Sequence, residues 1–482
     1  MNNIKKTNGQ NFEMLEMHKV KIIKKINLLN IDERLTAITN AGNNTFLLHN
    51  KDIFLNMLTD SGVNAMSDAQ QAASMIADDA YAGSESFFKL EKTCQEIFGK
   101  KFLVPAHQGR ACENIICKTL VKANTFALTN HHFTTTKAHV ELNGGKMIEL
   151  LANEGFKPES TNPFKGNVDL KKLQDFISKN KKNISFMRIE AGTNLIGGQP
   201  VSLENMIKTC ELCKKNNIIT ILDASLLTDN LYFIKIRENK YKNMNISEIT
   251  KIISKQFDII YFSARKLGSA RGGCILLDDK KILATMQDLV TLYEGFITYG
   301  GMSISELEMI NIGLQEAMTM EMISHGPMSI KFLVDQLTKN GVPMITPAGG
   351  LGCHLNAMKF CDHIPKEQYR AGSLAAAIYL ISGIAGMERG TISEERNPDG
   401  TDHIANMELV RLACPRRIFT KSQLEFVIDR ITWLYKNRKL IGGLKFKFEP
   451  KLLRFFLGKL EPTSKWQEKL VKKFKDDFKG SL

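Results

Sequence analysis

Between residues 180 and 280, short β-branched runs alternate with polar stretches of helical character, and this alternation constrains the fold more than any other feature of the chain. Ile184 to Glu190 reads as a strand, and Leu203 to Asn216 as a helix that Ser202 is placed to cap. Ile218 to Leu222 is a strand that ends at Asp223. Ile246 to Lys255 is a helix, Phe257 to Phe262 a strand ending at Ser263, and Cys274 to Leu277 a further strand after Gly-Gly. Such alternation predicts an α/β fold, a largely parallel sheet covered by helices. Functional residues of these sheets collect just beyond the carboxyl ends of the strands. Asp223 and Lys266 both fall there.

With 482 residues the chain is long enough for a large core and two domains. We expect a polar extension over 1–18, a first part of a small domain over 19–66 and a large domain over 67–320. The rest of the small domain follows over 321–462, and a basic tail over 463–482. Met302 to Lys339 reads as mostly helical. In the tail, Trp466, Leu470, Val471, Phe474 and Phe478 share one helical face, which suits docking on the chain itself or a neighbour. No apolar run approaches the roughly 18–20 residues of a membrane helix, so no membrane span is expected. Residues 1–11 are rich in Asn and Lys without an apolar core, unlike a secretory leader. The nine cysteines are an odd number scattered along the chain, which argues against a disulfide framework and for a reducing, cytoplasmic compartment. Cys210 and Cys213 lie on a predicted helix without a second pair, and read as structural. A net charge of +14 favours anionic partners such as phosphate or carboxylate. No zinc-finger, helix-turn-helix or RNP pattern accompanies it, so no specific nucleic-acid partner is expected.

Asp223 alone serves equally well as a turn residue, and a lysine such as Lys266 is ordinarily solvated. Together, on two strand ends about forty residues apart, they are the pair that pyridoxal phosphate (PLP) requires. The lysine amine reacts with the cofactor's aldehyde, and the acid keeps the pyridine nitrogen protonated so that the ring accepts electrons. Gln108-Gly109-Arg110 precedes a helix predicted over Ala111 to Lys122, as a phosphate site demands: glycine admits the phosphate, backbone amides donate and arginine adds charge. Phe133 could stack on a pyridine ring or simply fill a core.

Several segments occur in the order found in the β-eliminating lyase family, which contains tryptophanases and tyrosine phenol-lyases. They are Thr59-Asp60-Ser61-Gly62, Asp79-Ala80-Tyr81-Ala82-Gly83-Ser84, His107-Gln108-Gly109-Arg110, Gly197-Gly198-Gln199-Pro200, Tyr232-Phe233-Ile234-Lys235 and Tyr299-Gly300-Gly301. The resemblance runs from about Lys19 to Leu460. It implies the PLP fold-type I architecture of the aspartate aminotransferases, with active sites at the subunit interfaces of a homotetramer. Carried over by position, Lys266 would hold PLP and Asp223 its ring nitrogen. Gln108, Gly109, Arg110 and Ser263 would hold the phosphate, Phe133 would stack on the ring, and Asn194 would contact the ring oxygen. Arg411 with Ser61 would bind the carboxylate of an amino-acid substrate, and Tyr81 would act as general acid.

Thr134, in Phe133-Thr134-Thr135-Thr136, and Arg389, in Met387-Glu388-Arg389-Gly390, resemble the phenol-lyase branch, where they would hydrogen-bond a phenolic hydroxyl. Without the resemblance, Arg389 would read as a solvated loop charge. Phe455 and Phe456 resemble the pair that closes over the substrate ring. The reaction implied is carbon–carbon β-elimination, L-tyrosine giving phenol, pyruvate and ammonia. The alternatives are a PLP lyase of the same fold acting on a tryptophan, cysteine or serine derivative, and a non-catalytic homologue. Departures from the family pattern keep these open. Leu226 stands where an arginine is usual, Leu351 replaces a histidine after Gly349-Gly350, and the turn after Lys266 is one residue shorter and contains Arg271. Asp79 replaces a glutamate that helps to build a monovalent-cation site, potassium being the expected ion.

Overall fold

The computed structural model describes residue 7, residues 16–450 and residues 453–480. Most of the N-terminal extension expected over 1–18, and the last two residues of the tail, lie outside them. Seven strands form the main sheet: β1 (Phe102–Ala106), β2 (Phe126–Thr129), β3 (Lys146–Glu149), β4 (Ile184–Glu190), β5 (Thr220–Asp223), β6 (Ile259–Ser263) and β7 (Gly273–Leu277). Their spatial order is β1-β7-β6-β5-β4-β2-β3. β7 runs antiparallel to both neighbours, and every other pairing is parallel. β5, β6 and β7 are buried along their whole length, as expected where helices cover both faces of a sheet. The helices form where the sequence marks them. Ser202 caps Leu203–Lys214 by accepting from the Asn205 N–H, and Asn245 with Glu248 forms a capping box on Ile246–Ser254.

Register fixes the site. Glu190 pairs with Asp223, and Asp223 with Tyr261, so the carboxyl ends of β4 and β5 stand in a row with the middle of β6, three polar side chains side by side. The mostly helical stretch expected from Met302 to Lys339 is two helices, Ile304–Glu316 and Met320–Lys339, the second containing Pro327.

A second core is built from both ends of the chain. The helix Ile31–Asn40 lies against Arg370–Ser382, and the short strand Leu55–Asn56 pairs in parallel with Ile384–Ala385. Arg34 is fully buried between these ends and donates to the carbonyls of Leu29 and Leu380 at 2.6 and 2.8 Å. Beside them lies an antiparallel sheet of β8 (Gly352–Asn356), β9 (Met387–Arg389) and β10 (Leu409–Ala413), in the order β9-β10-β8. The basic tail forms the helix Trp466–Phe478, which buries Trp466, Leu470, Val471 and Phe474 against this core. Its apolar face is therefore used within the chain. All nine cysteines are buried and free, Cys210 and Cys213 among them. Among the described residues no helix is long and apolar enough to cross a membrane.

Leu470 is completely buried, so Leu470→Ala removes apolar contact and leaves a cavity. We expect a loss of about 2–5 kcal/mol from this unit, read as a lowered denaturant midpoint. An unchanged midpoint would mean that the tail adds no stability.

Candidate active site

A cavity of about 300 Å³ opens where the carboxyl ends of β4, β5 and β6 face the second core. Lys266 enters it from the single helical turn Ala264–Leu267 that follows β6, with Nζ 5.5 Å from the centre of the Phe133 ring. Asp223 enters from the end of β5. Its Oδ2 accepts from Arg188 Nη2 at 2.6 Å and lies 2.9 Å from the Tyr261 hydroxyl, while Oδ1 accepts from the Ser225 N–H at 3.0 Å. Burial by itself raises the carboxyl pKa of Asp223. The Arg188 guanidinium and the Ser225 bonds outweigh it and hold the group below its ordinary value, so it stays ionised.

At one end of the cavity the helix Gly109–Leu120 begins at Gly109 itself, two residues before the predicted start. Gln108 is its N-cap and makes no side-chain capping bond. A Cβ added at Gly109 would come within 2.8 Å of the Ser263 Cβ, so only glycine lets the helix start approach the end of β6 this closely. First-turn N–H groups, the Ser263 hydroxyl and the Arg110 guanidinium make an anion cradle. Phe133 is likewise the residue before a helix, Thr134–Leu142, so the three threonines form its first turn. Thr135 and Thr136 donate to Glu113 at 2.5 and 2.6 Å, and Thr134 is left facing the cavity.

The opposite wall comes from the second core. Arg411, on β10, donates from Nη1 to Asn194 Oδ1 at 2.9 Å and from Nη2 to the Leu58 carbonyl at 2.6 Å. Arg389 is the last residue of β9 and 6% exposed, so the alternative reading of it as a solvated loop charge does not hold. Its Nε and Nη1, the Arg411 Nε and the Asn194 Nδ2 are buried without partners. Burial lowers both arginines, Arg411 to about 10, and Arg389 is lowered further by the Arg411 charge beside it. Unpaired buried donors are costly, so this wall is built for an anionic or hydroxylated guest. Ser61, Phe455 and Phe456 complete it, the two phenylalanine rings 4.0 Å apart between centres.

Two expected residues lie elsewhere. Tyr81 is 69% exposed, stacks on Phe296 and meets Tyr299 edge-on, outside the cavity of its own chain. Asp79 is exposed in a left-handed turn. Arg271 is also exposed and does not line the cavity, whereas Leu226 does. Leu351 takes a left-handed conformation, and its N–H donates to Asp229 at 2.7 Å.

A family model described as "Beta-eliminating lyase" matches residues 56–430. The chain belongs to the β-eliminating lyase family. The tyrosine phenol-lyase of Clostridium tetani is 39% identical over 449 residues, 92% of this chain and 98% of the relative. That of Lacrimispora saccharolytica is 41% identical over 453 residues, covering 93% and 97%. Among solved structures, Sphingomonas wittichii serine palmitoyltransferase aligns with a TM-score of 0.54 at 11% identity, over 81% of this chain and 88% of that one. The fold is that of the type I PLP enzymes, and the protein is a PLP-dependent lyase. The cavity fits the cofactor. It offers an amine at Lys266, an ionised acid at Asp223, an anion cradle at Gly109, and an unpartnered Asn194 Nδ2 for a ring oxygen.

Sequence reasoning missed Arg188, Glu190, Glu113 and Tyr261, which line or underlie the floor. A signal for the first two was present. Two charges at alternate positions of a strand that should be buried are rare unless paired. Glu190 Oε2 lies 4.0 Å from Arg188 Nη1 and has no hydrogen-bond partner. Burial pushes Glu190 up to about 8, with Arg188 opposing and Asp223 adding to the rise.

The folded chain thus keeps the Glu190 proton up to about pH 8, while the unfolded chain releases it near ~4.3. Across that window the unfolded state binds fewer protons, and stability falls as pH rises. Glu190→Gln should remove this fall. Thermal midpoints of the cofactor-free variant and parent should coincide near pH 4 and diverge in the variant's favour by pH 8. Parallel curves would show that Glu190 is ionised throughout.

Proposed function

We propose that the protein cleaves L-tyrosine to phenol, pyruvate and ammonia by β-elimination. The carrying observation is that Thr134 and the unpartnered donors of Arg389 share one cavity with Lys266, Asp223 and Arg411. The high identity to proteins named tyrosine phenol-lyase supports it. In this reading 67–320 form the cofactor-binding domain, and 19–66 with 321–462 form the small domain.

Lys266 would hold PLP, with Asp223 at the ring nitrogen and Phe133 against the ring face. Asn194 would lie at the ring oxygen, and Gln108, Gly109, Arg110 and Ser263 at the phosphate. When bound, PLP supplies an aldehyde for the substrate amine and a ring that takes up the electron pair released at Cα. Arg411 and Ser61 bind the substrate carboxylate and so fix the direction of the Cα–H bond. The Lys266 amine, once free, takes the α-proton. Thr134 and Arg389 hydrogen-bond the phenolic oxygen and favour the keto form of the ring. Tyr81 delivers a proton to the ring carbon that leaves. Its position outside its own cavity and its exposed face support a partner subunit's cavity as its place of action, within a homotetramer.

Leu226 and Glu190 on the cavity wall favour a second reading, a different β-substituted amino acid. Two experiments test these proposals. Borohydride reduction of the loaded enzyme followed by peptide mapping should label Lys266, and label on another lysine overturns its role. A site built to bond a hydroxyl rejects analogues lacking it by roughly 10⁴-fold, so tyrosine should be cleaved far better than tryptophan. Arg389→Ala should lower kcat/KM for tyrosine by about 10²–10³-fold while sparing S-alkyl cysteines, whose leaving groups need no ring tautomer. Equal loss on both substrates would make Arg389 structural and remove the main support for tyrosine.

A further inference from the structure

A second cavity, of about 350 Å³, lies on the other side of Arg389 and is not used by the chemistry above. Its floor is the turn after β2, where His131 and His132 are consecutive and both buried. Their rings stack with centres 4.9 Å apart and planes inclined by 22°. Glu149, the last residue of β3, is held opposite them because Thr129 pairs with Glu149 in the parallel β2–β3 register. Both imidazole Nδ1 atoms converge on one carboxylate oxygen, Glu149 Oε1: His131 at 3.6 Å and His132 in direct contact. This is the one group of three potential metal ligands among the described residues, with its donor atoms all within 4.8 Å of one another.

We propose that His131 Nδ1, His132 Nδ1 and the Glu149 carboxylate bind one divalent transition-metal ion of the zinc type, with a fourth coordination position open to the cavity. Two imidazoles and a carboxylate are a donor set that zinc takes when one position is kept for water. Bonds of about 2.0–2.1 Å in a tetrahedron separate neighbouring ligand atoms by about 3.3 Å, close to the His131–Glu149 spacing. A second observation concerns the far side of His132. Its Nε2 lies 3.9 Å from Glu394 Oε1. That spacing is beyond a hydrogen bond, but it places a carboxylate behind Nε2, the side from which a metal-bound histidine is usually supported.

Lys137 and Arg389 on the cavity wall oppose a cation, and His131 must give up its 3.1 Å contact with the His132 carbonyl. No thiol competes for the metal, since every cysteine is buried. Through His132 and Glu394 the ion would tie the loop after β2 to the segment that carries Arg389.

The test is zinc titration of the chelator-treated holoenzyme by calorimetry, with cobalt absorption as a second reading. One ion per chain is expected, and cobalt should give the strong visible bands of a tetrahedral site. Glu149→Gln and His132→Ala should abolish stoichiometric binding, and Glu394→Gln should weaken it about 10–100-fold. His403→Ala, on the cavity rim, should leave it unchanged. If His132→Ala does not fold, the two glutamate variants and the cobalt spectrum still decide. Absence of stoichiometric zinc, or zinc held equally by parent, Glu149→Gln and Glu394→Gln, overturns the proposal. Because the readout is metal bound, the result is independent of which amino acid the lyase cleaves.

Discussion

The buried ion pair between Arg188 and Asp223 is the interaction on which the rest of the site depends. Both groups are almost wholly removed from water, Arg188 on β4 and Asp223 at the end of β5. A buried carboxylate without a partner would take up a proton, and a neutral acid cannot hold a cofactor ring in its protonated form. The guanidinium keeps Asp223 charged, and strand register keeps the guanidinium in place. Tyr261 and Glu113 extend the pair downward: Arg188 Nε donates to the Tyr261 hydroxyl at 3.0 Å, and Glu113 anchors the threonine turn after Phe133. Asp223 and the turn that carries Phe133 and Thr134 are thereby tied into one hydrogen-bonded floor. Such networks are rigid when fully satisfied.

Facing this floor is a wall of opposite character. Arg389 and Arg411 are buried near each other with donors to spare, and Glu388 and Glu190 oppose the effect of Arg411 on Arg389 without giving those donors partners. The two halves come from different cores: the floor from the main sheet, the wall from strands held by both ends of the chain. Arg34 and the pairing of Leu55–Asn56 with Ile384–Ala385 clamp those ends together. The geometry of Arg411 relative to Asp223 therefore depends on contacts far from either residue.

Leu226 lines the cavity and brings no charge to its wall, and Arg271 lies outside the cavity. Arg188 acts on Asp223 from beneath the floor. Glu190, two residues along the same strand, brings a protonatable group into the cavity.

The sequence by itself determined the sheet, the helices that cover it and the strand-end positions of Asp223 and Lys266, because hydrophobic periodicity and capping are local and survive in one dimension. Order-preserving motifs pointed to the residues that converge on the cavity. Only the tertiary structure decided the rest. The burial of Arg389 follows from β9 pairing with β10 across a gap in sequence that no local pattern records. The partnership of Arg188 with Asp223 follows from parallel register between β4 and β5, and the meeting of His131, His132 and Glu149 from that between β2 and β3. Tyr81, exposed on its own chain, shows the same division. Its residue type was legible along the chain, but what it touches is set by how surfaces meet, and side-chain proximity is a property of packing rather than of order along the backbone.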